Sequence, residues 1–161
     1  ALLAGMEAVD QTEKVHLLES THTLVQHTHN HPHTLAAARN LTNILIALDK
    51  QNDIRNTLQE LSLSEVPLKS IKKWEQLSDR KVVGDTLSTA CYLPESFTAS
   101  LYFAWKYFDD FSLAVLANAK VGGDNCHRGV VVGSIVAMQT GIPDKWLRDL
   151  KCMDELRCDN S

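Results

Sequence analysis

Residues 121–128 read Val-Gly-Gly-Asp-Asn-Cys-His-Arg, and Asp124, Asn125, Cys126 and His127 place a carboxylate, an amide, a thiol and an imidazole side by side. Such a cluster can ligate a cation, carry a proton or contact a phosphate. Gly122 and Gly123 precede it, permitting backbone angles that residues with a Cβ avoid and close approach to a ligand. Beyond them the residues are small and helically spaced, with Gly129, Gly133 and Ala137 on one face, which predicts a neighbouring helix pressed close. The entrance to this helix has two readings. Either Asp124 or Asn125 simply caps the free N–H groups, or the entrance is a ligand site. Arg128, with His127 when protonated, puts cationic charge in the first turn, against the helix dipole by about 0.3–1 kcal/mol. A bound anion, or the carboxylate of Asp124, offsets that.

The alternating histidines His27, His29, His31 and His33 are the second candidate. In an extended segment they would share one side, and imidazole suits Zn, Cu or Ni. Pro32, however, fits the first position of a helix, so the default is a polar loop ahead of it. Asp109-Asp110 resembles a metal-binding carboxylate pair but stands where a helix starts, and reads as a cap. Cys91 and Glu95 offer a nucleophile and an acid, with no histidine nearby in sequence to activate the thiol.

The elements that must position these groups are helical. Asp10 with Glu13 fits a capping box for a helix near 11–26. Leu35, Ala38, Leu41, Leu45 and Leu48 stripe a helix over 32–49. Asn52 or Asp53 caps a shorter helix carrying Ile54, Leu58 and Leu61. Ser64 caps another, with Pro67 in its first turn and Leu68, Ile71 and Leu77 facing inward. Residues 78–92 read as an irregular connection. Pro94 then starts an aromatic-rich helix to about Tyr107, Asp109 caps the next, and the glycine-led helix follows. This predicts an all-α chain: a compact orthogonal bundle of about seven helices, with short connections that imply antiparallel neighbours. Residues 1–150 form a single unit, and 151–161 a charged tail that frays.

Composition narrows the function classes. The 161 residues fit one domain, and 44% hydrophobic with 22% charged residues is ordinary for a globular protein. A net charge of −4 gives no bulk attraction to nucleic acid or an anionic membrane. The basic run Lys69, Lys72, Lys73, Arg80 and Lys81 reads as a solvated face. Cys91, Cys126, Cys152 and Cys158 lack zinc-type spacing, and with no secretory signal they read as reduced thiols of a cytoplasmic protein. No apolar run approaches the ~20 residues that span a bilayer. The chain opens at Ala1 in mid-pattern and reads as part of a longer protein.

Gly122-Gly123-Asp124, opening a small-residue helix that ends at Gly141-Ile142-Pro143-Asp144-Lys145-Trp146-Leu147, resembles the C-terminal part of the ADP-ribosylglycohydrolase family. That family includes the dinitrogenase-reductase-activating glycohydrolases and the J1-crystallins. The likeness spans roughly Asp10 to Leu150 and is best from Leu93 onward. It implies the C-terminal half of that helical fold, and hydrolysis of the glycosidic bond joining ADP-ribose to a side chain or small acceptor. Members use paired Mg²⁺ ions to orient the terminal ribose and an attacking water; Mn²⁺ is the alternative here. Asp124 matches the first acid of the family's Gly-Gly-Asp-x-Asp-Thr metal motif. Cys126 replaces the second acid and His127 the threonine. A thiol is soft whereas Mg²⁺ demands hard oxygens, so the metal site is expected to be altered or given over to ligand binding. Thr28-His29 matches a Thr-His pair whose histidine faces ADP-ribose. The resemblance thus marks His29, Gly122, Gly123 and His127 for substrate and Asp124 for metal, and leaves the catalytic residues open. The family's N-terminal Asp-Asp motif has no counterpart, so the chain alone is expected to be inactive. The alternatives are a non-catalytic relative binding ADP-ribose or a nucleotide, and a crystallin-like structural protein.

Overall fold

The computed structural model describes residues 11–49 and 53–150. Among them run nine helices and no strand: α1 (Gln11–Thr28), α2 (Pro32–Asp49), α3 (Ile54–Glu60), α4 (Leu68–Trp74), α5 (Asp79–Val82), α6 (Glu95–Lys106), α7 (Phe111–Val121), α8 (Asn125–Thr140) and α9 (Asp144–Arg148). The all-α expectation holds. The two helices beyond the expected count are short: α5 forms inside the supposedly irregular 78–92 connection, and α9 inside the tryptophan turn.

Charge-free sequence explains the centre of the molecule. Every residue of α6 from Ser96 to Trp105 is buried, and a helix apolar on all sides belongs inside a core. Within it, the Ser100 hydroxyl is satisfied locally, its Oγ donating to the Ser96 carbonyl at 2.9 Å. Around α6 lie α3, α4, α7 and α8, while α8 also packs on α2, α3 and α7. Helix α1 lies against α2 and has no buried residue over 12–28. No helix among the described residues is long and apolar enough to cross a membrane.

The helix starts correct two caps. Asp53 caps α3 as expected, its Oδ1 accepting from the Asn56 N–H at 2.9 Å. For α7 the cap is Asp110, not Asp109: Asp110 has the extended backbone a capping residue needs (φ −137, ψ 99), and its Oδ1 accepts from the Leu113 N–H at 2.8 Å. Ser64 caps nothing. Glu65 turns the chain through φ 61, so α4 begins only at Leu68, after Pro67. The Ser64 carbonyl instead accepts from buried Asn40 at 2.8 Å. The Asp10 capping box lies outside the described residues.

Two polar braces tie the short helices to α6. Glu75 pairs with Arg55 and accepts from the Trp105 indole at 3.0 Å, while the Arg55 guanidinium lies 4.2 Å from the Phe108 ring centre. Asp79 accepts from Tyr102 at 2.8 Å, Tyr107 at 2.7 Å and Lys106 at 2.9 Å. Burial opposes the Asp79 charge, but the hydrogen bonds from Lys106, Tyr107 and Tyr102 outweigh it and set its pKa below the ordinary 3.8. Both phenols are pushed up, by burial first and then by Asp79. A depressed folded pKa gives stability that is complete above the unfolded value and lost as pH falls through the folded one. Asp79→Ala, which strands three donors, is expected to cost about 1–3 kcal/mol at neutral pH in urea unfolding. It should also flatten the loss of stability below pH ~4.

Candidate functional site

The glycine pair, the start of α8 and the loop ahead of α6 are folded around one side chain. Arg128 is buried to 1% exposure. Its Nε–H donates to Asn118 Oδ1 at 3.0 Å, Nη1 to the Thr89 carbonyl at 2.8 Å and Nη2 to the Gly122 carbonyl at 2.6 Å. Burial lowers its pKa, and the nearby charge of Asp124 works the other way. The cation expected to sit unfavourably in the first turn is thus turned inward, onto oxygens of the protein.

The glycines serve the backbone. Gly122 ends α7 at φ 75, ψ −158, a region essentially reserved for glycine. Gly123 has φ +67, and a Cβ there would stand 2.2 Å from the Thr89 carbonyl oxygen. Along α8, by contrast, a Cβ at Gly129 would meet Asn118 at 3.4 Å and one at Gly133 would meet Phe111 at 3.8 Å. Those are van der Waals distances, so the α7–α8 packing does not itself demand the small-residue stripe.

Asp124 stands at the N-cap of α8, but its side chain caps nothing. Its Oδ1 pairs with His127 Nδ1 at 2.6 Å. Its Oδ2 is buried and no donor among the described residues reaches it. The capping alternative for Asp124 is therefore set aside. His127 itself is largely exposed.

One cleft of about 700 Å³ gathers these groups with distant ones. Asp124 comes from the N-cap of α8 and His127 and Arg128 from its first turn, Cys91 and Tyr92 from the loop before α6, and His29 and His31 from the α1–α2 connection. Phe97 of α6 and Leu41 of α2 supply apolar wall. Of the expected site residues, His29, Asp124 and His127 line this cleft; Gly122 and Gly123 shape the turn beside it. The histidine string is not extended. His27 lies in the last turn of α1, with Nδ1 2.6 Å from the Thr23 carbonyl, and His33 pairs with Glu65 at 2.8 Å. His31 faces the cleft, where a bare solvated loop was expected.

Sequence reasoning missed the burial of Arg128 and the arrival of Cys91 and Tyr92 at the same cleft. Only the conflict between Arg128 and the helix dipole hinted at the first. Nothing local hinted at the second.

Metal chemistry can be tested against the donors present. Asp124 Oδ2 offers one hard oxygen. Cys126 is exposed, its Sγ 3.6 Å from Asn125 Oδ1. Among the described residues no three histidine, cysteine or acidic side chains are grouped to hold a metal ion. Mg²⁺ keeps near-octahedral oxygen coordination, and these residues do not complete it. The lysines of the basic run, at positions 69, 72, 73 and 81, are exposed with Arg80, as a solvated face should be.

The family model described as ADP-ribosylglycohydrolase matches residues 1–159. Comparison with curated proteins and with solved structures finds no match.

Replacing either glycine tests the turn. Gly122→Ala meets open space but a forbidden backbone region, and is expected to cost about 1–3 kcal/mol in chemical denaturation. Gly123→Ala adds the collision with Thr89 and should be clearly the more destabilising. Equal losses would contradict the close approach of Gly123 to Thr89.

Proposed function

This chain belongs to the ADP-ribosylglycohydrolase family, and on that premise we propose that its cleft receives the ADP-ribose part of a conjugate and that the protein hydrolyses the adjoining glycosidic bond. The observation that carries this reading is the meeting of His29 with Asp124 and His127 in one cleft, where Asp124 Oδ2 is buried and reached by no donor among the described residues. Polar groups converging on a cleft with apolar walls are what a small-molecule site requires.

Within this reading the residues divide the work. Tyr92 and Phe97 offer flat apolar surface to a base or ribose. His29 and His31 present imidazoles to the diphosphate. When Asp124 accepts from Nδ1–H of His127, the other ring nitrogen is left as the acceptor, able to hold a proton taken from water. Gly122 and Gly123 hold the turn that carries Asp124, both at positive φ. Mg²⁺ or Mn²⁺ would polarise the ribose oxygens or a water, with Asp124 Oδ2 as the ligand this chain provides. Water and the oxygens of the substrate would fill other positions around such an ion. The runner-up is a non-catalytic relative that binds ADP-ribose. The exposed thiol of Cys126, standing where the family pattern has its second acid, favours it.

Calorimetry with ADP-ribose, Mg²⁺ and Mn²⁺ on the full-length protein, Asp124→Asn and Cys126→Asp tests both readings. Asp124→Asn should weaken ADP-ribose binding about tenfold or more, equivalent to 1.4 kcal/mol. Cys126→Asp should tighten Mg²⁺ and raise release of ADP-ribose from a modified peptide. Tight ADP-ribose binding without release in the parent and in Cys126→Asp would favour the binder. Indifference of all three proteins to ADP-ribose and to both metals would contradict a ligand site here.

A further inference from the structure

Arg128 is the largest fully buried side chain among the described residues, and burying a guanidinium is costly unless oxygens replace its water. An apolar side chain of similar volume would fill the space without that cost, so packing alone gives no reason for a cation here. Its partners supply one. Each residue that receives an Arg128 hydrogen bond also holds the turn carrying Asp124. The Thr89 carbonyl accepts from the Asp124 N–H at 2.9 Å as well as from Arg128. Asn118, whose Oδ1 accepts from Arg128, donates through Nδ2 to the Asn125 carbonyl at 2.8 Å. Gly122, the third acceptor, begins the turn itself. The planar fork thus draws the loop at Thr89, the side chain of Asn118 and the end of α7 into one frame, with Asp124 at its edge. Because only 1% of Arg128 is exposed, it acts on the cleft through these groups.

We propose that Arg128 is the positioning residue of the cleft, the side chain that fixes Asp124, and the His127 paired with it, against the loop at Thr89. The role in affinity rests on reading the cleft as an ADP-ribose site; the role in holding the Asp124–His127 pair does not.

The test uses Arg128→Lys, which keeps the charge and gives up the fork, and Asn118→Ala, which removes one of the shared partners and covers the case in which the lysine variant does not fold. Arg55→Lys, a change at a cation held elsewhere by Trp105 and Glu75, controls for stability alone. Nitrogen-edited NMR of the His127 ring reports the tautomer that Asp124 enforces; calorimetry with ADP-ribose reports affinity. In each folded variant at the site, the His127 ring nitrogens should shift toward the opposite tautomer and the ADP-ribose Kd should rise about tenfold or more. Arg55→Lys should leave both unchanged even if its Tm falls. An unmoved His127 signature in a folded Arg128→Lys or Asn118→Ala protein overturns the proposal. A parent with the expected signature but no affinity for ADP-ribose would sink the functional reading instead, while loss of the signature in the variants would still support the positioning role.

Discussion

A guanidinium cut off from water must find oxygens, and at the centre of this site it finds three, from Asn118, Thr89 and Gly122. That requirement links stretches that sequence keeps far apart. Thr89 lies in the connection ahead of α6, Asn118 and Gly122 at the end of α7, and Arg128 in the first turn of α8. With Arg128 inside, the turn at Gly122-Gly123 has to bring its backbone onto Thr89, and only glycine at 123 permits the approach. With the turn so placed, Asp124 stands beside the cleft with one oxygen on His127 and the other without a partner among the described residues. An exposed His127, by itself of little note, gains an orientation through this chain of contacts.

Behind this turn, α6 provides the rigid surface. Its unbroken burial from Ser96 to Trp105 leaves it nowhere to move, and the braces at Asp79 and Glu75 join the 68–82 region to its far end. The cleft is therefore walled by α6 and α8 on elements held by the core, and by the α1–α2 connection. Helix α1 packs on α2 and buries no residue over 12–28.

How much of this was legible in the sequence depends on the range of the interaction. Helices were legible because apolar spacing is a local signal: α2 runs from Pro32 to Asp49 as the stripe requires, and Asp53 caps as its chemistry suggests. Adjacent equivalent residues defeated the same reasoning, since Asp109 and Asp110 carry identical side chains and only backbone angles choose between them. Asp124 has the composition of a cap and the position of one, yet its carboxylate turns to His127. The partners of Arg128 at positions 89 and 118 could not be read from the chain at all, because nothing about a threonine carbonyl or an asparagine marks it for a guanidinium. Family resemblance bridged part of that gap. It pointed to His29, Asp124 and His127, which the fold brings to one cleft, and it had no place for Cys91, Tyr92 or Arg128.

On the proposed reading, this cleft, framed by Arg128, is where ADP-ribose binds. Amide chemical-shift mapping of the full chain during titration with ADP-ribose tests it most directly. Shifts should gather in three separated stretches, around His29–His31, Cys91–Leu93 and Gly123–Arg128, with the lysine-bearing face of α4 unmoved. Shifts confined to α4 and α5, or none at all at saturating ADP-ribose, would contradict it.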